Sequence, residues 1–312
     1  MTPGAVIPPR VRRGDLIGVC APAGPVREDR LRAGLARLGD AFRVRVTPAV
    51  TGPRSAGVPD YLAADDDTRA AELTALLADP DVRAIVLARG GYGLMRILPR
   101  LDPDLLRRDP KPIVGFSDAT ALLAWAHAAG VRGIHGPMIA QLGELGDDDA
   151  ATLVALLTEP RAPGRRPWAL TGHGTGTRHG HLVPANLTLV SVLVATPWQL
   201  PLAGAIALLE EIGERPYQLD RYLTHLTLTQ QLSELRGVVV GDLTRCWDPA
   251  PAVPTSAAAV ATVLERFRAA GVPVAVGAPV GHGHRNEAVP FGAACALDLD
   301  LGTLDILDAA VA

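Results

Sequence analysis

The stretch that decides the fold of this chain lies at residues 114–123 and reads Val114-Gly-Phe-Ser-Asp-Ala-Thr-Ala-Leu-Leu123. An apolar run ends at Phe116, and a helix-forming Ala/Leu segment begins directly after Ser117. Such a strand-to-helix turn presents the serine hydroxyl beyond the carboxyl end of the strand, beside the N–H groups with which the helix begins. The turn therefore predicts a nucleophile next to an oxyanion site or, alternatively, a serine that only caps the helix with Asp118 and Thr120.

Around this turn, short apolar runs alternate with helical patterns from residue 16 to about residue 135. The predicted strands are 16–21, 42–48, 84–88, 113–116 and 131–134. The predicted helices are 27–38, 63–77, 119–129 and 149–157. Regular alternation of this kind is typical of parallel sheets covered on both faces by helices. The first half is therefore predicted to be α/β, with a doubly wound, flavodoxin-like parallel sheet.

The composition changes at residues 159–180, which are rich in Pro, Gly, Arg, Thr and His and are predicted to form a linker. Beyond the linker we predict helices at 187–194, 216–232 and 257–269, strands at 205–209, 237–241 and 274–276, and a hairpin at 293–299 and 304–307. The expected organisation is an N-terminal domain at 1–158, the linker, and a second, mixed α/β domain at 181–312.

The bulk composition excludes several classes of protein. With 312 residues, 48% hydrophobic content, 20% charged residues and a net charge of −3, the chain is typical of a globular protein without a basic face. We therefore expect no nucleic-acid partner. No stretch reaches the roughly 18 to 20 apolar residues of a membrane helix, and the first 14 residues lack the apolar core of a secretory signal. A cytoplasmic location without membrane contact is expected.

Neither a metal nor a cofactor is indicated. The three cysteines are scattered, at Cys20, Cys246 and Cys295, and lack the spacing of zinc ligands. The histidines of the linker, His173, His179 and His181, match no ligand spacing either. The segment after the first strand lacks the complete Gly-x-Gly-x-x-Gly fingerprint, so dinucleotide binding is not expected.

A glycine-rich loop, Arg89-Gly90-Gly91-Tyr92-Gly93, follows the strand at 84–88. Glycines let the backbone approach a ligand closely and leave N–H groups able to donate. Loops at the carboxyl ends of parallel strands line the ligand crevice of an open sheet. This position favours a ligand-binding role over a purely structural turn.

A serine nucleophile needs a base and an acid that orients the base. Glu210 is the first polar residue after the apolar run 205–209, which places it at the expected end of a strand. His282 is flanked by Gly281 and Gly283, which leaves its ring accessible. The alternatives are a surface carboxylate and an exposed loop histidine.

Five short motifs follow one another along the chain. They are IGVCAPAGP at 17–25, ARGGYG at 88–93, VGFSD at 114–118, LLEE at 208–211 followed by Tyr217 and Asp220-Arg221, and GHG at 281–283 followed by PFG at 290–292. In this order they resemble the motifs of the LD-carboxypeptidase family of serine peptidases, which also includes the microcin C self-immunity proteins. The resemblance covers roughly residues 10–300.

The resemblance implies a Ser-His-Glu triad, with Ser117 as nucleophile, His282 as general base and Glu210 as the orienting acid. The rival assignments are the adjacent Glu211 and His284. Because the serine belongs to the first domain and both partners belong to the second, the site is expected to need both domains.

The resemblance also implies an oxyanion hole formed by the N–H groups of Gly91 and Asp118, and substrate contacts from Tyr92 and Asn186. It further implies a homodimer. One motif departs from the family pattern, since this chain has Pro184-Ala185 before Asn186-Leu187 where family members usually have Gly-Gly.

The function implied is a serine carboxypeptidase that removes a terminal D-amino acid from an L-centre in muropeptides during cell-wall recycling. A second hypothesis keeps the chemistry but takes a peptidyl or aminoacyl nucleotide, with Trp168, Trp198 or Trp247 as a platform for the base. A third, of another class, is a non-catalytic ligand-binding protein with two α/β domains.

Overall fold

The computed structural model describes residues 5–249 and 255–312. The predicted N-terminal domain and the segment tested for a secretory signal both begin at residue 1, so the first four residues of each lie outside these ranges. The chain divides into two compact units: the first contains Met1–Arg161, Glu287–Phe291 and Ala309–Ala312, and the second contains Ala162–Asn286 and Gly292–Asp308. Among the helices of the described ranges, none has the length and apolar character needed to cross a membrane.

Strands and helices are numbered in chain order. The strands are β1 (Leu16–Cys20), β2 (Arg43–Val46), β3 (Val82–Leu87), β4 (Ile113–Gly115), β5 (Ile134–His135), β6 (Gly164–Arg165), β7 (Thr171–His173), β8 (Thr177–Asn186), β9 (Ala205–Ile212), β10 (Gly237–Thr244), β11 (Val274–Val276), β12 (Val289–Pro290), β13 (Ala294–Asp298) and β14 (Thr303–Ile306). The helices are α1 (Glu28–Gly39), α2 (Pro48–Thr51), α3 (Asp66–Ala78), α4 (Leu94–Ile97), α5 (Pro103–Arg108), α6 (Thr120–Ala128), α7 (Ile139–Leu142), α8 (Asp147–Thr158), α9 (Leu187–Val192), α10 (Pro216–Leu228) and α11 (Ala257–Ala269).

The first unit contains a six-stranded sheet with the order β2-β1-β3-β4-β5-β12. Strands β1 to β5 are parallel, and β12 pairs antiparallel to β5. The order 2-1-3-4-5 is that of flavodoxin-like sheets, whose ligand crevice lies where strand order reverses, between β1 and β3. The predicted α/β class and doubly wound sheet are confirmed, and the loops after β1, β3 and β4 meet at the crevice edge.

Burial explains why these strands read as apolar runs. Strand β3 is buried along its length except at Arg83, and all of β4 is buried. Parallel strands covered on both faces are expected to be apolar throughout, because neither face meets water. Polar chemistry in this unit is therefore restricted to the loops that follow the strands.

The second unit contains an eight-stranded sheet with the order β6-β14-β13-β8-β9-β10-β11-β7. Strands β8 to β11 are parallel, whereas β13, β14, β6 and β7 pair antiparallel. The predicted hairpin is present as β13 and β14, and the sheet is mixed as expected. The predicted linker, 159–180, contains β6, β7 and the start of β8. These segments are hydrogen-bonded strands of the sheet of the second unit.

Strand β9 is longer than predicted. It was expected to stop before Glu210-Glu211, but it continues through both residues to Ile212. Both carboxylates are buried and have partners inside the protein, so the acidic pair does not end the strand. The alternative interpretation of Glu210 as a surface carboxylate is wrong, since none of its side chain is exposed.

The unusual Pro184 is accommodated inside strand β8, where it pairs with Leu208 of β9. Successive strand residues direct their N–H groups to alternate neighbours, and the Leu182 N–H donates to Ala293 at 2.8 Å, on the side of β13. An N–H at position 184 would point to that same side, beyond the last residue of β8 that pairs with β13. The proline therefore removes no bond of the β8–β9 ladder.

Candidate active site

Ser117 begins a one-turn 3-10 helix, Ser117–Ala119, that leads from β4 into α6. Its φ is +61°, a left-handed conformation that residues with a Cβ adopt at a cost. Gly115, two residues earlier, is required by packing, because a Cβ there would lie 2.6 Å from the Cβ of Ala119. A strained serine at the end of a parallel strand is the arrangement expected of an exposed nucleophile.

The glycine loop lies directly against this serine. A Cβ on Gly90 would lie 3.2 Å from the Ser117 Cβ and 3.3 Å from its Oγ. The loop is also joined to the loop after β1, since the Gly24 N–H donates to the Gly90 carbonyl at 3.0 Å. Gly91 has a φ of +110°, which a side chain would disfavour. The loops after β1, β3 and β4 are therefore gathered around Ser117.

The two N–H groups predicted to form an oxyanion hole have no acceptor within the described ranges, since neither the Gly91 N–H nor the Asp118 N–H donates to another residue there. Asp118 is the second residue of the 3-10 turn, where helix N–H groups have no intrahelical acceptor. Both groups are able to donate to a developing negative charge, and their role as an oxyanion hole stays a prediction.

The side chain of Asp118 has a separate structural role. It is buried, and its Oδ2 accepts a hydrogen bond from the Leu94 N–H at 2.9 Å, at the start of α4. Burial raises the pKa of this carboxyl to about 6, against the opposing effects of the Leu94 N–H and the Arg69 guanidinium. The contact ties the serine turn to the end of the glycine loop.

Arg69, in α3, makes a second connection between these loops, and no sequence motif singles it out. Its buried guanidinium donates to the carbonyl groups of Pro22 and Gly93, and so holds the loops after β1 and β3. It also pairs with Asp66. The sequence did contain one sign that Arg69 is buried. Residues 69, 73 and 76 share one helical face, and because residues 73 and 76 are leucines, the arginine lies on an apolar face.

Tyr92 extends from the glycine loop toward solvent. The residue is 48% exposed, and its ring packs edge-on against Tyr61 with the centroids 5.8 Å apart. The ring is therefore accessible to a ligand, but a substrate contact stays a prediction.

In the second unit, His282 and Glu210 form a close pair. Nδ1 of His282 lies 2.6 Å from Oε2 of Glu210, and 17% of the His282 side chain is exposed. An ionised carboxylate can only accept, so Nδ1 carries the proton, and Nε2 has the lone pair in the neutral ring. This is the tautomer that a general base needs, held by a buried acid.

The charges around His282 favour its protonated form. Burial by itself lowers the pKa of His282, but the attraction and hydrogen bond of Glu210 and the charges of Glu211 and Asp242 outweigh it. The pKa is consequently raised above the ordinary histidine value. A raised pKa makes the ring a stronger base toward a hydroxyl proton.

The rival residues occupy different environments. The Glu211 carboxylate accepts hydrogen bonds from the side-chain amide of Asn186, the Ile212 N–H, and both the N–H and the hydroxyl of Thr188. It therefore secures the start of α9. His284 is exposed, whereas His282 is partly buried against Glu210. These contacts favour Glu210 and His282 as the acid and base.

Asn186, predicted to contact substrate, uses both ends of its amide inside the protein. Its Nδ2 donates to Glu211 at 2.9 Å, and its Oδ1 caps α9 by accepting from the Leu189 N–H at 3.2 Å. The side chain is almost fully buried. Its substrate contact stays a prediction, which these internal bonds do not favour.

The tryptophans proposed as a platform for a base, and the three cysteines, differ in exposure. Trp168 is buried, whereas Trp198 and Trp247 are partly exposed. All three cysteines are buried, and burial raises the pKa of each thiol, which keeps them from acting as nucleophiles. Within residues 5–249 and 255–312, no cluster of three or more His, Cys, Asp or Glu side chains is arranged to hold a metal ion.

Comparison with known proteins places this geometry in context. The family model of the LD-carboxypeptidase N-terminal domain matches residues 17–136, and that of the LD-carboxypeptidase C-terminal domain matches residues 179–297. The putative carboxypeptidase SCO6489 of Streptomyces coelicolor is 37% identical over 310 residues, covering 96% of each chain. The probable murein peptide carboxypeptidase of Bacillus subtilis is 32% identical, covering 93% of this chain and 91% of its own.

A solved structure shares the fold. The structure of MccF in complex with glutamyl sulfamoyl guanosine superposes with a TM-score of 0.86 at 21% identity, covering 98% of this chain and 99% of the other. At this identity the likeness concerns the fold alone. The family matches concern the sequence, and they include the segments that contain Ser117, Glu210 and His282.

Proposed function

Because this chain belongs to the LD-carboxypeptidase family of serine peptidases, we propose that it hydrolyses the amide bond between an L-centre and a terminal D-amino acid in muropeptides. As a member of this family, the chain is a hydrolase, which sets aside the hypothesis of a non-catalytic binding protein. We further propose that the reaction is a cytoplasmic step of cell-wall recycling and that the enzyme works as a homodimer.

In the proposed mechanism, Ser117 Oγ attacks the carbonyl carbon of the scissile amide while Nε2 of His282 takes the hydroxyl proton. The carbonyl π bond opens, and the negative charge moves to the oxygen, where the N–H groups of Gly91 and Asp118 donate to it. Glu210 keeps the proton on Nδ1 and stabilises the imidazolium that forms.

The second half of the reaction returns the proton. The imidazolium gives it to the nitrogen of the departing D-amino acid as the C–N bond breaks, which leaves an ester on Ser117. A water molecule then attacks the ester carbonyl while His282 again accepts a proton. Return of that proton to Ser117 Oγ releases the shortened peptide and regenerates the enzyme.

The observation that carries the proposal is the 2.6 Å contact between the His282 ring and the fully buried Glu210 carboxylate. A buried carboxylate that orients a partly exposed imidazole is costly to fold and has a clear purpose in base catalysis. The strained conformation of Ser117 supports the same interpretation. The name of the Bacillus subtilis relative supports the substrate class.

The test is D-alanine release from a tetrapeptide muropeptide by the purified protein, measured with and without a chelator. Release is expected in both conditions, to be abolished by Ser117→Ala or His282→Ala, and to persist in the matched variant His284→Ala. Undiminished release by Ser117→Ala would disprove the mechanism. Cleavage of a peptidyl nucleotide but not of the muropeptide would instead support the second substrate hypothesis. The molar mass of the protein in solution, measured by light scattering after size-exclusion chromatography, tests whether it is a homodimer.

A further inference from the structure

We infer that Asp242 is a positioning residue, whose carboxylate fixes the loop that presents His282. This inference rests on the proposed role of His282 as the general base. Asp242 does not belong to any of the five sequence motifs, and its importance follows from its place in the sheet of the second unit.

The first observation is a β-bulge opposite Glu210. In the parallel pair of β9 and β10, Val240 is paired with Leu209 and Leu243 with Glu211. Two residues, Gly241 and Asp242, therefore oppose the single residue Glu210. Bulges change the direction of side chains and occur often beside active sites. This bulge lies beside the residue that contacts His282.

The second observation is that Asp242 binds the main chain on both sides of His282. Its own N–H donates to the Val280 carbonyl at 2.9 Å, and its Oδ2 accepts from the Gly283 N–H at 2.9 Å. The four-residue segment 280–283 is thus attached at each end to one residue, Asp242. The main chain at His282 therefore has little freedom to carry the ring away from Glu210.

The third observation is the tight packing of the two glycines on this residue. A Cβ on Gly283 would lie 2.2 Å from Oδ2 of Asp242, and a Cβ on Gly281 would lie 3.1 Å from its Cβ and 3.0 Å from the Cβ of Glu210. Gly281 also has a φ of +134°. The Gly-His-Gly pattern is therefore explained by close contact with Asp242 as much as by exposure of the ring.

Asp242 also contributes charge. The ionisable groups whose charges act on the His282 ring are Glu210 and Glu211 of β9 and Asp242 of β10, and His284 of the same loop acts on Asp242. The charge of Asp242 is one of the three that raise the pKa of His282. Removing this charge should therefore lower that pKa, which is a consequence that a purely structural residue would not have.

The experiment compares Asp242→Asn with Asp242→Ala. Asparagine keeps an oxygen that can accept from Gly283 but lacks the charge, whereas alanine lacks both. We expect Asp242→Ala to lower kcat about 10-fold or more with KM nearly unchanged, since misplacement of a catalytic group affects the transition state, and Asp242→Asn to restore most of kcat. In both variants the acidic limb of the pH profile of kcat/KM should move to lower pH.

The matched control is Asp300→Ala, because Asp300 also accepts one backbone N–H, from Gly176 at 2.8 Å, but is exposed. It should leave kcat and the pH profile unchanged. If Asp242→Ala does not fold, titration of the His282 ring by NMR in Asp242→Asn decides, and a pKa equal to that of the wild type overturns the inference. Kinetic constants of Asp242→Ala equal to those of the wild type overturn it as well. Loss of activity in Ser117→Ala shows independently that the proposed function stands.

Discussion

Glu210 and Glu211 are consecutive residues of one strand, yet their carboxylates bind different elements: Glu210 contacts the His282 ring, and Glu211 holds Asn186 and Thr188 at the start of α9. Consecutive strand residues direct their side chains to opposite faces of a sheet. The Glu210 carboxylate is therefore available for catalysis, whereas the Glu211 carboxylate is used in structural hydrogen bonds.

This division predicts different effects for two otherwise identical substitutions. Glu210→Gln should lower kcat on the order of 10³-fold, because glutamine does not stabilise the imidazolium. Glu211→Gln should mainly lower the free energy of unfolding, by roughly 1–3 kcal/mol, because one of its two acceptor oxygens becomes a donor that faces donors. Steady-state kinetics and urea unfolding of both variants separate the effects. The opposite pattern would assign the catalytic role to Glu211.

The raised pKa of His282 predicts the pH dependence of the reaction. In the proposed mechanism only the neutral ring accepts a proton from Ser117, so kcat/KM should fall as the pH decreases through the pKa of His282. The acidic limb should therefore have its midpoint above the ordinary value of 6.5. In Glu210→Gln, the residual activity should show that limb at lower pH, because the largest favourable charge is gone. A limb that does not move would contradict the pairing.

The left-handed conformation of Ser117 predicts an unusual preference for glycine. Both Ser117→Ala and Ser117→Gly lack the hydroxyl, but only alanine keeps a Cβ at φ +61°. The left-handed penalty of about 1–2 kcal/mol exceeds the roughly 0.4–1 kcal/mol by which glycine favours the unfolded chain. Ser117→Gly should therefore unfold at a higher temperature than Ser117→Ala.

The control for this comparison is Ala261→Gly, at an exposed position in the interior of α11. Glycine there should cost about 1 kcal/mol, as in any helix interior. If Ser117→Gly is less stable than Ser117→Ala by a similar amount, the strain assigned to the serine turn is absent.

The buried Asp118 predicts a pH-dependent stability. Its pKa is raised from 3.8 to about 6 in the folded protein, so the folded state binds more protons between these values and stability decreases as the pH rises through this window. The cost at neutral pH is on the order of 3 kcal/mol. Asp118→Asn keeps an acceptor for the Leu94 N–H and should remove this dependence. Thermal unfolding of both proteins from pH 4 to pH 8 measures it, and parallel curves would refute the assignment.

Features encoded by local sequence were predictable. The alternation of strands and helices identified the doubly wound sheet, and the apolar run before Ser117 identified the serine turn. Glu210 and His282 are 72 residues apart, and their pairing was an expectation from family resemblance, because no local pattern encodes a contact between a strand residue and a distant loop.

Features that depend on tertiary packing were not predictable. Asp242 acquires its direction from a bulge that exists only when β9 and β10 pair. Arg69 is an arginine on an apolar helix face, which becomes meaningful only when the loops after β1 and β3 surround it. Strand β12 has two residues, too few for any periodicity, and β9 extends past its apolar run because buried partners satisfy its carboxylates.

Strand β12 limits how this protein can be divided or recombined. Residues 287–291 follow directly after the loop of His282, yet they complete the sheet of the first unit by pairing with β5. A fragment that ends at residue 161 would leave the edge of β5 uncovered, and exposed edges favour aggregation. Transplanting either half into a relative would require junctions near residues 161, 286, 291 and 308. Because the two units are interleaved along the chain, no single junction can exchange one of them intact.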